Sequence, residues 1–202
     1  MNFLAHFQLA LPTDASRVGA LLGDFARGTP EHLRESYPED LVQGIMLHRA
    51  IDRFTDSHPI FLETKQLLDP SRRRFAGIII DIFFDHFLAH SWSHYSQVSL
   101  RSFVDEIHSL LTRRTDWLDD EFQGFVGKMK DEDWLGTYGT IPGLALTFER
   151  MSQRRDFLSP LIGSEQDLVQ HYHSFSKAFQ NFYPELLAYV RSENPGGALS
   201  SP

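Results

Sequence analysis

Two stretches of the chain place polar side chains where core residues are expected. In GIMLHRAIDRFTD (44–56), His48 and Asp52 are four residues apart, so on a helix they project from one face, with Asp56 continuing the row and Arg49 and Arg53 alongside. In AGIIIDIFFDHFLAH (76–90), Asp81 and Asp85 repeat that spacing, and His86 follows Asp85 inside the most apolar stretch of the sequence. A buried carboxylate without a partner is costly, so carboxylates on an Ile/Phe-rich helix need compensation. A divalent metal supplies it, and a mixture of imidazole and carboxylate suits Mn, Fe or Zn. Each group also has an ordinary reading. His48 alone fits a hydrogen-bonded core histidine, and Asp52 with Arg49 or Arg53 fits a helix-surface ion pair. The joint pattern is what points to a metal or catalytic role.

His6, in NFLAH (2–6), and Asp24, in LLGDFARG (21–28), are each flanked by apolar residues and could complete such a site. Either could equally cap a helix or serve the fold. His90 and His94 extend a four-residue row from His86, a spacing that suits a metal or the exposed end of a helix, and the exposed end is preferred for His94. Asp105, His108, His171 and His173 read as solvated faces. Arg72, Arg73 and Arg74 read as a solvated helix start. Other chemistries fail on pattern: there is no Gly-rich phosphate loop, no nucleophile elbow, no His-Glu-x-x-His, and no pair of Glu-x-x-His motifs for a di-iron bundle.

The elements that must position these groups are helical in period. The expectation is a short apolar N-terminal segment, then a helix capped by Ser16 and running to about Arg27. A helix follows from Pro38 with a stripe of Leu41, Ile45, Leu47, Ile51 and Phe54, broken by His58-Pro59. After a shorter helix through Leu68, Ser71 opens the long central element. Further helices are expected at about 99–115, 119–134, 140–154 and 164–192, the last kinked at Pro184. No segment alternates like a strand. The fold class is therefore all-α, a single-domain helical bundle over 1–193 with a disordered tail at 194–202.

Composition agrees with one ordinary globular domain: 202 residues, 42% hydrophobic and 23% charged, with 17 Phe to fill gaps between helices. The absence of cysteine excludes disulfides, thiolate zinc sites and a cysteine nucleophile. A net charge of −8 argues against nucleic-acid binding, although clustered arginines can still meet an anionic partner within a Debye length of about 8 Å. The start has no basic segment of a signal peptide, and no apolar run is long enough to span a membrane, so a cytoplasmic location without membrane contact is expected.

Four ordered blocks carry a resemblance to a known family: MNFLAH (1–6), LGDFARG (22–28), GIMLHRAIDRFTD (44–56) and DIFFDHFL (81–88), with FQNFYP (179–184) adding to them. The chain resembles bacterial acyl carrier protein phosphodiesterases from residue 1 to about 190, weakly over 95–140. That resemblance implies a fold distantly like HD-domain phosphohydrolases and an enzyme that hydrolyses holo-acyl carrier protein, releasing 4′-phosphopantetheine. It also implies a divalent metal cofactor, Mn2+ first, with Fe2+ or Mg2+ as alternatives. The Asp85-His86 order reverses the usual HD signature, so the ligand set is assigned on this chain's own residues. His48, Asp52, Asp85 and His86 are expected as ligands, with Asp24 as a fifth. Asp81, His6 and Asp24 are expected as catalytic groups that orient or deprotonate water. Arg49 and Arg53 are expected on phosphate, and Arg72, Arg73 and Arg74 as the docking patch for the carrier protein. Two alternatives are a related phosphohydrolase acting on a nucleotide or another small phosphoester, and a non-catalytic helical module that binds carrier protein.

Overall fold

The computed structural model describes residues 1–193, and among them there are twelve α-helices and no strand. The first five are α1 (Phe3–Leu9), α2 (Asp14–Leu22), α3 (Pro30–Leu33), α4 (Glu39–Ser57) and α5 (Pro59–Thr64). The central helix α6 (Ala76–His90) follows, then α7 (Leu100–Arg113), α8 (Asp120–Asp131) and α9 (Trp134–Thr137). The chain closes with α10 (Ile141–Ser152), α11 (Glu165–Gln170) and α12 (Tyr172–Glu193), which runs through Pro184. The all-α expectation holds; the proposed tail at 194–202 lies outside the described residues.

Helix α6 is apolar nearly all round because it is enclosed nearly all round. Ile79, Ile80, Phe83, Phe84 and Leu88 are fully buried. Phe83 packs edge-on to Phe148 of α10 and Phe175 of α12, and Phe84 meets Phe61 of α5 and Phe179 of α12. Such edge-to-face pairs add to the burial of their area.

On one side of this core, α2 and α4 meet backbone to backbone. A Cβ on Gly19 would fall 2.6 Å from the Leu41 carbonyl oxygen, and one on Gly44 would fall 2.8 Å from that of Ser16. Only hydrogen fits at this crossing, so the two glycines fix how closely the helices approach.

Several element ends differ from the sequence expectation. Thr13, not Ser16, caps α2 by accepting from the Ser16 N–H, while the Ser16 hydroxyl accepts from Leu11 N–H. That helix stops at Leu22 rather than Arg27. Helix α6 begins at Ala76, after a 3-10 turn over Arg73–Phe75, not at Ser71. Helix α8 stops at Asp131 because Asp133 takes a left-handed conformation, φ 47°, which cannot continue a helix. The expected helix over 164–192 is two helices, parted at His171 with φ −118° and ψ 27°.

Candidate functional site

The glycine crossing sets the site's geometry one helical turn further along each helix. On α4, Gly44 is followed four residues later by His48; beyond Gly19 on α2, the same step reaches Gly23 at the helix end. A Cβ on Gly23 would lie 2.1 Å from His48 Cγ, so the imidazole occupies the space that a side chain would need. His48 Nδ1 lies 2.7 Å from the Ala20 carbonyl oxygen, which can only accept, so Nδ1 is the donor. Its Nε2 is thereby turned toward Asp52 Oδ2 at 3.0 Å and Asp24 Oδ1 at 3.4 Å. The contacts are close, yet this buried nitrogen is not aligned for a hydrogen bond.

His6, from α1, stacks on His48 with ring centroids 3.7 Å apart and planes 10° from parallel. Its Nε2 lies 3.0 Å from the Met1 carbonyl oxygen and 3.1 Å from Asp52 Oδ1. The Met1 α-amino group sits 2.9 Å from Asp81 Oδ1 and 3.8 Å from Asp52 Oδ1. One donor atom each from His6, His48 and Asp52 lies within 4.8 Å of the others. Two imidazoles, a carboxylate and a second carboxylate, Asp24, at the margin make a donor set that fits a divalent cation. The unaligned His48 Nε2, facing two carboxylates from a buried position, is the atom such a cation would satisfy.

The electrostatics follow from this crowding. Burial pushes the His6 imidazole down to about 4, helped by charge on His48. Burial would also lower His48, but the Asp24 and Asp52 carboxylates overcome it and raise that imidazole to about 9. Burial would raise Asp52 and Asp24; their histidine partners win, and hold Asp52 far below the ordinary carboxylate range and Asp24 below it. Asp81 is different: burial pushes it up to about 6 against the pull of the Met1 α-amino group. It is a carboxylate able to take a proton near neutrality.

Asp85 and His86 stand apart from this cluster. Asp85 is fully buried, accepting from Leu4 N–H at 2.8 Å and from Asn2 and Ala5 N–H at 3.3 Å each. It therefore serves as the missing N-terminal cap of α1, where Asn2 supplies no side-chain cap. Burial pushes its carboxyl up to about 7. His86 donates from Nδ1 to the Tyr138 carbonyl oxygen at 2.8 Å, leaving Nε2 to accept from the Tyr172 hydroxyl at 3.1 Å. Both ring nitrogens are thus occupied by Tyr138 and Tyr172, and burial lowers the imidazole's pKa.

The arginines expected on phosphate or carrier protein also have other partners. Arg49 donates to the Ala26 and Gly28 carbonyl oxygens, closing the turn that carries Asp24. Arg53 lines a separate hollow with Gln43, Met46 and Glu193. Arg72 is tied to Asp167 and to the Pro160 and Ile162 carbonyl oxygens, and Arg73 to those of Gln66 and Leu68. Arg74 lies exposed over the Phe75 ring.

A cavity of about 290 Å3 opens beside the cluster, its wall including Asp24, Asp81, Phe25, Trp134, Tyr138 and Arg154. Sequence reasoning did not reach the Met1 α-amino group, Tyr138 or Trp134. It also passed over Gly23, for which a signal existed: two glycines four apart at one helix end, matched by glycine and histidine four apart on the next helix.

No helix among the described residues is long and apolar enough to cross a membrane. No solved structure matches the chain. It is 37% identical over 194 residues to the acyl carrier protein phosphodiesterase of Pectobacterium atrosepticum, covering 96% of this chain and 99% of that one. The protein of the same name from Photorhabdus laumondii is 37% identical over 195 residues, covering 96% and 97% respectively. The family model described as acyl carrier protein phosphodiesterase matches residues 1–186. With matches that run nearly end to end, the chain belongs to the acyl carrier protein phosphodiesterase family.

Proposed function

We propose that this protein hydrolyses the phosphodiester joining 4′-phosphopantetheine to the serine of holo-acyl carrier protein, yielding apo-acyl carrier protein, with a divalent cation as cofactor. Family membership supports the substrate. The observation that carries the metal-assisted reaction is the convergence of His6, His48 and Asp52, from helices far apart in the sequence, on one small volume beside a cavity. His6, His48 and Asp52 would hold the cation, with Asp24 as a further ligand at the cavity wall. A divalent cation held there, Mn2+ in our reading, would acidify water and neutralise phosphoryl oxygens.

The chain's own groups then have distinct work. Asp81 faces the same cavity and accepts the proton of the attacking water, a task suited to a carboxylate raised toward neutrality. His48 is held in one tautomer by Ala20, so the nitrogen it presents to the site does not change. His6, stacked on it, keeps Asp52 aligned. The apolar part of the wall, Phe25 and Trp134 among it, restricts water around the phosphodiester. Asp85 acts through α1: by capping it, Asp85 sets where His6 stands.

The test is to incubate the purified protein with holo-acyl carrier protein and Mn2+ and to weigh the product. Loss of the phosphopantetheine mass, abolished by chelator and by Asp52→Asn, is expected. An unchanged carrier mass alongside turnover of nucleotides would replace this reading with that of another phosphohydrolase. An unchanged carrier mass with carrier binding alone would make the protein a binding module.

A further inference from the structure

We propose that Arg154, laid across the rings of Trp134 and Phe125, is the side chain that binds the phosphoryl oxygens of the substrate; this deepens the function proposed above and rests on it. The cavity beside the cluster already carries negative charge on Asp24 and Asp81, and a phosphodiester adds more. An anionic group entering there needs a cation on the protein side of the wall, beyond any metal.

Two arginines line that cavity, and both also line a second, more open hollow of about 540 Å3 that shares Trp134. They stand where the two spaces join. Arg150 is already paired, its Nε 2.9 Å from Glu132 Oε2. Arg154 has no carboxylate or carbonyl within hydrogen-bonding distance among the described residues; it lies over two aromatic faces, with Glu132 and Tyr138 near enough to act on its charge. Its guanidinium carbon lies 5.2 Å from the Trp134 centroid and 5.8 Å from that of Phe125. Cation–π contacts of this kind position a guanidinium while leaving N–H groups open to an anion, and its planar fork matches two phosphoryl oxygens.

The platform is itself held in one shape. The Trp134 indole N–H donates to Glu132 Oε2 at 2.9 Å, and Phe125 meets Trp134 at 88° with centroids 5.1 Å apart. Asp133, between Glu132 and Trp134, takes the left-handed conformation, φ 47°. A Cβ on Gly136 would fall 2.4 Å from Asp133 Oδ2, so the next turn closes tightly on that residue. Glu132 thus steers Arg150 and Trp134 together and leaves Arg154 as the cation that faces the shared opening. The alternatives lie elsewhere: Arg49, Arg72 and Arg73 hold backbone carbonyls, and Arg53 borders a different hollow.

The experiment compares the full-length protein with Arg154→Ala, Arg154→Lys and the neighbouring Arg155→Ala. Each is titrated calorimetrically with 4′-phosphopantetheine and assayed for release of that group from holo-acyl carrier protein. Arg154→Ala is expected to weaken binding by about tenfold or more and to lower kcat/KM at least as much, since hydrogen bonds to a charged partner are among the stronger ones. Arg154→Lys, keeping charge but not the planar fork, should recover only part of the loss. Arg155→Ala should match the wild type. Unchanged affinity and kcat/KM in Arg154→Ala would remove the subsite while leaving the proposed function standing, because the wild type still turns over. An equal loss in Arg155→Ala would reduce the effect to long-range charge and overturn the assignment to Arg154. A wild type that neither binds 4′-phosphopantetheine nor releases it would bring down both.

Discussion

At the scale of single residues, the site depends as much on a missing side chain as on those present. His48 reaches its position because Gly23 leaves room, with 2.1 Å between His48 Cγ and a Cβ that is not there. The neighbour that must give way is a ring packed between two helices and hydrogen-bonded to Ala20, not a flexible tip. Gly23→Ala is therefore expected to push the imidazole off Asp24 and Asp52. Overpacking of this kind costs about 1–3 kcal/mol. The same change should weaken Mn2+ binding by about tenfold or more, measured by titration calorimetry alongside urea unfolding. Wild-type affinity in Gly23→Ala would mean that His48 is not a ligand. Of the residues expected in the site from the sequence, His48, Asp52, Asp24, Asp81 and His6 are brought together. Asp85 repeats the spacing of Asp81 yet is taken up by the N–H groups that open α1, and His86, one residue further and so about 100° around the axis, meets Tyr138 and Tyr172.

At the scale of elements, α1 carries His6 but has no cap of its own, and α6 provides one. Three backbone N–H groups at the start of α1 converge on Asp85. Removing that carboxylate leaves buried donors unsatisfied, each at about 1–3 kcal/mol. Asp85→Ala is expected to lose about 3 kcal/mol or more of stability, and amide hydrogen exchange at Leu4 and Ala5 should rise sharply. Asp85→Asn retains an acceptor oxygen and should keep Mn2+ binding near the wild-type value. If Asp85 were instead a metal ligand, Asp85→Asn would abolish that binding while exchange at Leu4 and Ala5 stayed slow. Pattern alone finds Asp85 because a carboxylate on an apolar helix is conspicuous. It does not say whether the partner is a metal or a helix end, since both satisfy a buried negative charge.

At the scale of the whole molecule, the candidate metal centre joins α1, α4 and the turn after α2, so a bound cation ties these parts of the fold together. A ligand that binds only the folded state, present at a hundred times its Kd, stabilises by about 2.7 kcal/mol. For a chain of this size that is a rise of about 5–10 °C in Tm. Thermal unfolding with and without Mn2+ should show a shift of that order, reversed by chelator and absent in Asp52→Asn. No shift at saturating Mn2+, Fe2+ or Mg2+ would exclude the metal centre.

The sequence makes the helical architecture legible, because apolar residues recur at helical spacing throughout and no stretch alternates. It also determined which two helices carry the unusual polar groups, because such groups stand out against an apolar background. Which of them meet is set by how the helices pack. That choice depends on the backbone contact of Gly19 with Gly44, on the turn that brings Asp24 to His48, and on the left-handed residue that aims Trp134 at Arg154. Each is a relation between distant segments, fixed by steric fit and buried polar pairing, and a local spacing rule contains neither.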